Sequence, residues 1–416
     1  KPYSRVNGNL VPVSWDAALT IAEDKLGGDP KKIGVIAGDL NSIEELKAAK
    51  DLFDGLGVKS IDCRQDGAKI GGGARAGYLF NSTIEGIDTA DAILLIGTNP
   101  RLEAPVLNAR IRRAWLERDV PVAMIGEDAD LTYPVEHLGT GGKALAGLAG
   151  ANKGFAKTLK DAKRPMIIVG MGALTGTKGG QVLRAAGELA DKVGAVSDGW
   201  NGFNVLHTAA SRVGALDLGF IPGKGGKDVA SMQRAAKKGD LETIVLMGAD
   251  ELDMAAFGDA FVIYIGHHGD AGAHRADLIL PGAAYTEKKG MWANTEGRVQ
   301  FNARAVFPKG DAKEDWAIFR ALSERLGRTL PYDSLEQLRA KLIADHPVLG
   351  EIDHAPGAES AATFNPADLG EAGEPGDTPF RNAITDFYQT NAIARASKTM
   401  AECAAMKADP SAVAAE

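Results

Sequence analysis

Four stretches carry residue types that could do chemistry. "GHHGDAGAH" (266–274) sets His267, His268, Asp270 and His274 close together, with donors a metal could use. Adjacent histidines on a strand end are expected to point opposite ways, and no second clustered ligand set occurs. Structural or hydrogen-bonding histidines are therefore expected, and no metal site. "GMWANTEGRVQ" (290–300) packs a Trp, an Asn, a Glu, two Gly and an Arg into one short stretch, which suits a bound partner or a demanding turn. "GMGALTG" (170–176) follows a strand-like run, but its G-x-G-x-x-x-G spacing is one residue too long for a dinucleotide fingerprint. A turn needing positive φ is expected there. "GTGGKAL" (139–145) lacks the first Gly and the Ser/Thr of a phosphate loop. Arg110, Arg112, Arg113 and Arg118 form a local basic patch, either a solvated helix face or an interface. No G-x-S-x-G elbow occurs. No catalytic constellation emerges from these residues.

The elements that must position such residues are easier to read. "KKIGVIAGDL" (31–40), "DAILLIGTNP" (91–100), "VPVAMIGEDA" (120–129), "RPMIIVGMGA" (164–173), "ETIVLMGADE" (242–251) and "AFVIYIGHHG" (260–269) share one pattern. Each is a short aliphatic run that ends in Gly and a polar turn. That pattern predicts strands buried on both faces. Between them lie helical stretches, among them 105–118, with Leu107, Ile111, Ala114 and Trp115 on one face and Pro105 in the first turn. Ser14 is expected to cap the helix that follows it. Strand–helix alternation predicts α/β architecture with parallel sheets, and ligands in such sheets sit beyond the carboxyl ends of the strands. Beyond about residue 345 the chain becomes rich in Gly, Pro, Ala and acid and reads as extended. Apolar spacing resumes in 382–407, where a docking helix is expected.

The totals narrow the function classes. The 416 residues suffice for two or three domains. Net charge is 47 − 55 = −8, which disfavours a nucleic-acid partner. No apolar run approaches a membrane span. Two cysteines, Cys63 and Cys403, are too few for an iron–sulfur cluster or a disulfide framework. The chain opens on Lys1 rather than Met, which suggests a fragment or a processed chain.

Two segments, 80–116 and 266–300, together resemble the molybdopterin-oxidoreductase family. They hold the Gly-Thr-Asn-Pro turn of residues 97–100, the "ADLILPG" run and "NTEGR". More closely, "GTNPR", "NARIR", "DLTY", "ALDLG", "GHHGD", "LPGAAYTEK", "LPYD" and the tail around "DFYQTNAIARASKTMAEC" are similar to the family of large iron–sulfur subunits of NADH–quinone oxidoreductase, respiratory complex I. The likeness spans nearly the whole chain.

That resemblance implies two interleaved, doubly wound α/β domains of the formate dehydrogenase type, without the iron–sulfur N-terminal part and without the final β-barrel. One would be discontinuous, 1–65 with 235–345; the other, 66–234, would be inserted; 346–416 would be a tail. It implies a scaffold part of the hydrophilic arm of a proton-pumping enzyme, at the cytoplasmic face of a bacterial inner membrane. Partners would be the other hydrophilic-arm subunits and the iron–sulfur portion of the same polypeptide, which carries 2Fe–2S and 4Fe–4S clusters. No cofactor, metal or catalytic residue is expected in this chain. The degenerate pocket would be bordered by Gly97, Asn99, Pro100, His267, His268, Glu287, Asn294 and Arg298. Of the possible metal ligands, Cys63 lies early and Asp66 is the other option. The family's Asp-Pro-Arg phosphate loop is replaced by "GEDADLTYP" (126–134), without its Arg. Two alternatives stand: an active molybdopterin-dependent oxidoreductase of formate dehydrogenase type, and a free-standing binding module.

Overall fold

The computed structural model describes residues 1–357 and 364–408. Its strands in chain order are β1 (Tyr3–Val6), β2 (Asn9–Pro12), β3 (Ile33–Ala37), β4 (Ser60–Asp62), β5 (Ala92–Ile96), β6 (Val122–Ile125), β7 (Glu136–His137) and β8 (Pro165–Gly170). They continue as β9 (Val196–Ser197), β10 (Trp200–Asn201), β11 (Phe203–Leu206), β12 (Thr243–Met247), β13 (Phe261–Gly266), β14 (Leu278–Pro281), β15 (Gly290–Ala293) and β16 (Val299–Asn302). The six aliphatic runs are β3, β5, β6, β8, β12 and β13. All but the first residue of β13 are buried, because helices cover both sheet faces.

Two main sheets result. A seven-stranded sheet has the order β2-β1-β14-β13-β12-β3-β4, and a five-stranded sheet the order β11-β8-β5-β6-β7. From β14 to β4 the larger sheet is parallel, with β1 and β2 antiparallel at its edge. The smaller sheet is parallel throughout. In each, the chain steps outward to one side and later returns to the other. The order therefore reverses between β3 and β12, and between β5 and β8. These are the two places where a doubly wound sheet opens a crevice beyond its strand ends.

Glycines bring the backbone together at both reversals. A Cβ on Gly38 would lie 2.0 Å from the Gly248 carbonyl oxygen, and one on Gly97 (φ 57°) would lie 2.4 Å from the Ala173 nitrogen. The helix Ile43–Leu56 runs from the β3 turn with a capping box: Glu45 N–H donates to Ser42 Oγ and Ser42 N–H donates to Glu45. Ser14 caps Trp15–Leu26, accepting from Ala17 N–H. Helix Pro105–Arg118 buries Leu107, Ile111 and Ala114 as its spacing predicts. Among the described residues no helix is long and apolar enough to cross a membrane.

The C-terminal segment has little regular structure between Asp368 and Asn391. The expected helix in 382–407 forms as two pieces, Ala392–Arg395 and Lys398–Ala408. The second buries no residue, so docking rests on Ala392 and Arg395 instead of an apolar face. Residues 358–363 and 409–416 of the expected tail lie outside the described residues.

Candidate functional site

At the reversal of the smaller sheet, the "GTNP" turn leads from β5 into a short helix, Pro100–Glu103. Glu103 folds back over the turn. Its carboxylate accepts from Thr98 Oγ1 at 2.7 Å and from Asn99 N–H at 2.8 Å. Donors that could face a bound anion are thus consumed by an internal carboxylate. Burial pushes that carboxyl's pKa up, while Asn99 N–H, Thr98 Oγ1 and the Ala383 N–H pull it down.

The C-terminal segment crosses this turn. Phe380 N–H donates to Thr140 O at 2.7 Å, and Asn382 N–H donates to Glu127 at 3.2 Å. A Cβ on Gly172 would sit 1.9 Å from the Arg381 carbonyl oxygen, and one on Gly142 would sit 2.6 Å from that of Pro375. Gly172, Gly141 and Gly142 therefore make room for the C-terminal backbone, and Gly170 for the Gly97–Thr98 turn, while Gly176 meets nothing. The positive φ expected for "GMGALTG" is absent: Gly170, Gly172 and Gly176 all avoid the left-handed region. Close approach of main chains is the reason for Gly170 and Gly172, which the local sequence could not reveal.

At the reversal of the larger sheet, Asp39 and Asn41 follow β3, and Asp250 and Glu251 follow β12. Asp250 accepts from Tyr264 OH at 2.9 Å and from Gly272 N–H at 2.8 Å. Burial raises the Asp39 pKa to about 6, with Arg212 opposing. The C-terminal segment again lies over the opening. Arg395 pairs with Glu251 at 2.7 Å and Asp270 at 2.5 Å. A polar cavity of about 350 Å³ remains between this segment and the strand ends, bordered by Asp39, Asp66, Glu251, Gln389 and Arg395.

The histidine cluster does not assemble as a ligand set. His267 and His268 face each other, with Nδ1 atoms 2.7 Å apart and rings near perpendicular. The expectation that they point apart is wrong because His268 adopts φ 62°, which breaks the strand alternation. Burial, then Lys288, holds the His267 pKa down at about 3. Asp270 is taken by Arg395. Among the described residues no three His, Cys, Asp or Glu are placed to hold a metal ion.

"GMWANTEGRVQ" forms the β15–β16 hairpin. Asn294 Oδ1 accepts from the N–H groups of Glu296 and Arg298 and shapes the turn. Buried Glu296 accepts from Ile84 N–H at 2.7 Å and from Asn294 Nδ2 at 3.0 Å. Thr295 O accepts from Phe80 N–H at 2.7 Å, and Thr295 Oγ1 donates to Val205 O at 2.9 Å. Arg298 contacts Glu296 at 3.3 Å and donates to Asp353 O. The hairpin thus joins segments from both main sheets' surroundings. Glu287 is spent on the Ala284 and Lys309 N–H groups.

Neither possible metal ligand is presented. Cys63 is fully buried, and burial raises its thiol pKa to about 12. Asp66 accepts from Ala68 N–H and pairs at 3.0 Å with Arg212, itself 1% exposed. The arginine patch is also spent internally: Arg110 and Arg113 on Asp88, Arg118 on Ala90 O, Arg112 on Thr132 O. The residues that line or cover the crevice of the larger sheet, Arg212, Asp39 and Arg395, carry no motif in the sequence. Asp39 had a signal, being the first polar residue after a strand-ending Gly. Arg212 and Arg395 had none, since their partners are distant in sequence.

The model of the molybdopterin oxidoreductase family matches residues 1–325, and that of the C-terminal part of the NADH-ubiquinone oxidoreductase G subunit matches residues 354–403. The chain is 41% identical over 98% of its length to the mitochondrial NADH-ubiquinone oxidoreductase 78 kDa subunit of Neurospora crassa, and covers 55% of that protein. It is 40% identical over 96% of its length to the mitochondrial NADH dehydrogenase (ubiquinone) iron-sulfur protein 1 of Solanum tuberosum, covering 53% of it. The chain thus spans about half the length of these relatives. Two solved structures share the fold, each with a TM-score of 0.55. A chain of the formyltransferase/hydrolase complex of Methylorubrum extorquens is 17% identical, the match covering 78% of this chain and 98% of that one. Acetylene hydratase of Pelobacter acetylenicus is 14% identical, with 87% and 65% covered.

Proposed function

The chain belongs to the molybdopterin oxidoreductase family, and from that premise we propose that it is a structural part of a peripheral subunit of a proton-pumping NADH–quinone oxidoreductase, with a closed, degenerate cofactor site and no redox centre of its own. One observation carries the reading. The C-terminal segment, which matches the NADH-ubiquinone oxidoreductase family, crosses both crevices where a cofactor would enter, and the glycines beneath it are cut to fit its backbone.

The residues present do not fit a molybdopterin group. Cys63 is buried as a thiol, and Asp66 is committed to Arg212. Glu103 occupies the donors of the "GTNP" turn, and Arg381 backbone fills the space over Gly172. No reaction step is therefore routed through such a group. Gly97, Asn99, Pro100, His267, His268, Glu287, Asn294 and Arg298 then act as packing and turn residues. Iron–sulfur clusters would belong to parts of the relatives that this chain does not span, since two separated cysteines cannot ligate one.

In this reading residues 1–65 with 235–345 form one domain, 66–234 the inserted one, and 346–416 the tail that covers both. Partners are the neighbouring hydrophilic subunits and the iron–sulfur portion of the same polypeptide. The site of action is the membrane-bound complex. A bacterial cytoplasmic face is the placement we favour, while the relatives above carry mitochondrial names. An affinity tag on the native protein, followed by isolation from mildly solubilised membranes, tests this. NADH–quinone reductase activity and the other peripheral subunits should co-elute. A tagged protein that elutes alone would contradict the reading.

A further inference from the structure

The C-terminal segment is held at the larger sheet by one side chain whose three nitrogens are all engaged. Arg395 Nε donates to Asp270 at 2.5 Å, Nη2 to Glu251 at 2.7 Å, and Nη1 to Gln389 O at 3.1 Å. Glu251 follows β12 and Asp270 follows β13, so neighbouring parallel strands each deliver one carboxylate to the same crevice. The backbone that carries them is held in place next to each carboxylate. Adjacent Asp250 is locked by Tyr264 OH and Gly272 N–H, and Asp270 precedes the helix Ala271–Arg275. Asp39 lies at the same opening and Arg212 pairs below it, on Asp66. This arrangement matches the planar donor fork of a guanidinium and leaves an ammonium without a second in-plane partner.

We propose that Glu251 and Asp270 form a guanidinium-binding clamp at the crevice, filled in cis by Arg395, and that this clamp seats the C-terminal segment as an internal occupant of the cofactor opening. The crevice is thus a site with its own ligand, one that a small guanidinium compound can replace. The inference rests on the covering geometry described above and not on assembly with other subunits, so the two can fail separately.

Amide exchange on the full chain, read by mass spectrometry, tests it with Arg395→Ala and Arg395→Lys. Both variants should exchange about tenfold faster across residues 382–395 and 248–251, while β5 and β8 keep wild-type protection. Millimolar methylguanidinium should restore protection in Arg395→Ala, and methylammonium should not. Adding Glu251→Gln should abolish that rescue. Wild-type exchange in Arg395→Ala, full protection in Arg395→Lys, or equal rescue by methylammonium would each overturn the proposal. If Arg395→Ala does not fold, the Lys variant, which keeps charge and stem, decides.

Discussion

Glu296 is buried, yet both its oxygens are used inside the molecule, one on Ile84 N–H and the other on Asn294 and Arg298. Replacing it with Ala leaves the Ile84 N–H unpaired in a closed environment, so Glu296→Ala should cost about 2 kcal/mol in urea unfolding. Arg298→Ala removes a partly exposed pair and one bond to Asp353 O, and should cost about 1 kcal/mol. Equal stability of both variants and the parent would mean that the hairpin does not join the two halves. His207 gives a pH test. Burial, then Arg212, lowers its pKa to about 4, and its Nε2–H donates to Tyr78 O at 2.6 Å. An unfolded imidazole titrates near ~6.5, so the unfolded chain binds this proton first. The His207 contribution to stability should therefore fall as pH drops from about 6.5 to about 4, by a few kcal/mol, while Asp39, raised to about 6, acts in the opposite sense. His207→Gln should show a shallower slope over that window. The chemistry-bearing residue types of "ANTEGR" were legible in the sequence, but their partners were not. Ile84, Val205 and Asp353 are brought there only by the tertiary fold.

The parallel strands at the sheet centres could be read from apolar runs ending in Gly, because burial on both faces leaves no alternation and gives a strong signal. The short strands β4 and β7 carry too few apolar residues for that signal, Asn204 interrupts the run of β11, and the C-terminal segment carries none. Its path is written instead in the glycines it lies against. Gly172→Ala places a methyl group 1.9 Å from the Arg381 carbonyl oxygen, whereas Gly176→Ala meets nothing within 4 Å. The first should lower stability by about 1–3 kcal/mol and expose residues 379–383 to protease. The second should stay within about 0.5 kcal/mol of the parent. A dinucleotide-type turn would predict comparable damage from both, since each glycine belongs to the same motif. Thermal unfolding with limited proteolysis separates the two cases. The left-handed His268 is another feature beyond sequence reading. A β-strand prediction through that turn sends the two imidazoles apart, while the observed φ brings them together.

Across the whole molecule, one covering segment spans the crevices at both sheet reversals. The fold of a molybdopterin oxidoreductase is retained in its sheets. Glu103, the Arg381 backbone and Arg395 lie across the openings, and a polar cavity of about 350 Å³ remains at the larger sheet. Glu103, Asp66 and Arg395 are spent on internal partners, whereas Asp39 Oδ1, Asn99 Oδ1 and Gln389 Nε2 are buried without one. Metal and pterin content of the natively isolated protein tests this claim most directly, by elemental analysis for molybdenum and tungsten and fluorescence of the oxidised pterin. The account predicts neither metal nor pterin above trace level, even in cells that load other molybdenum enzymes. One metal and one pterin dinucleotide per chain would contradict it.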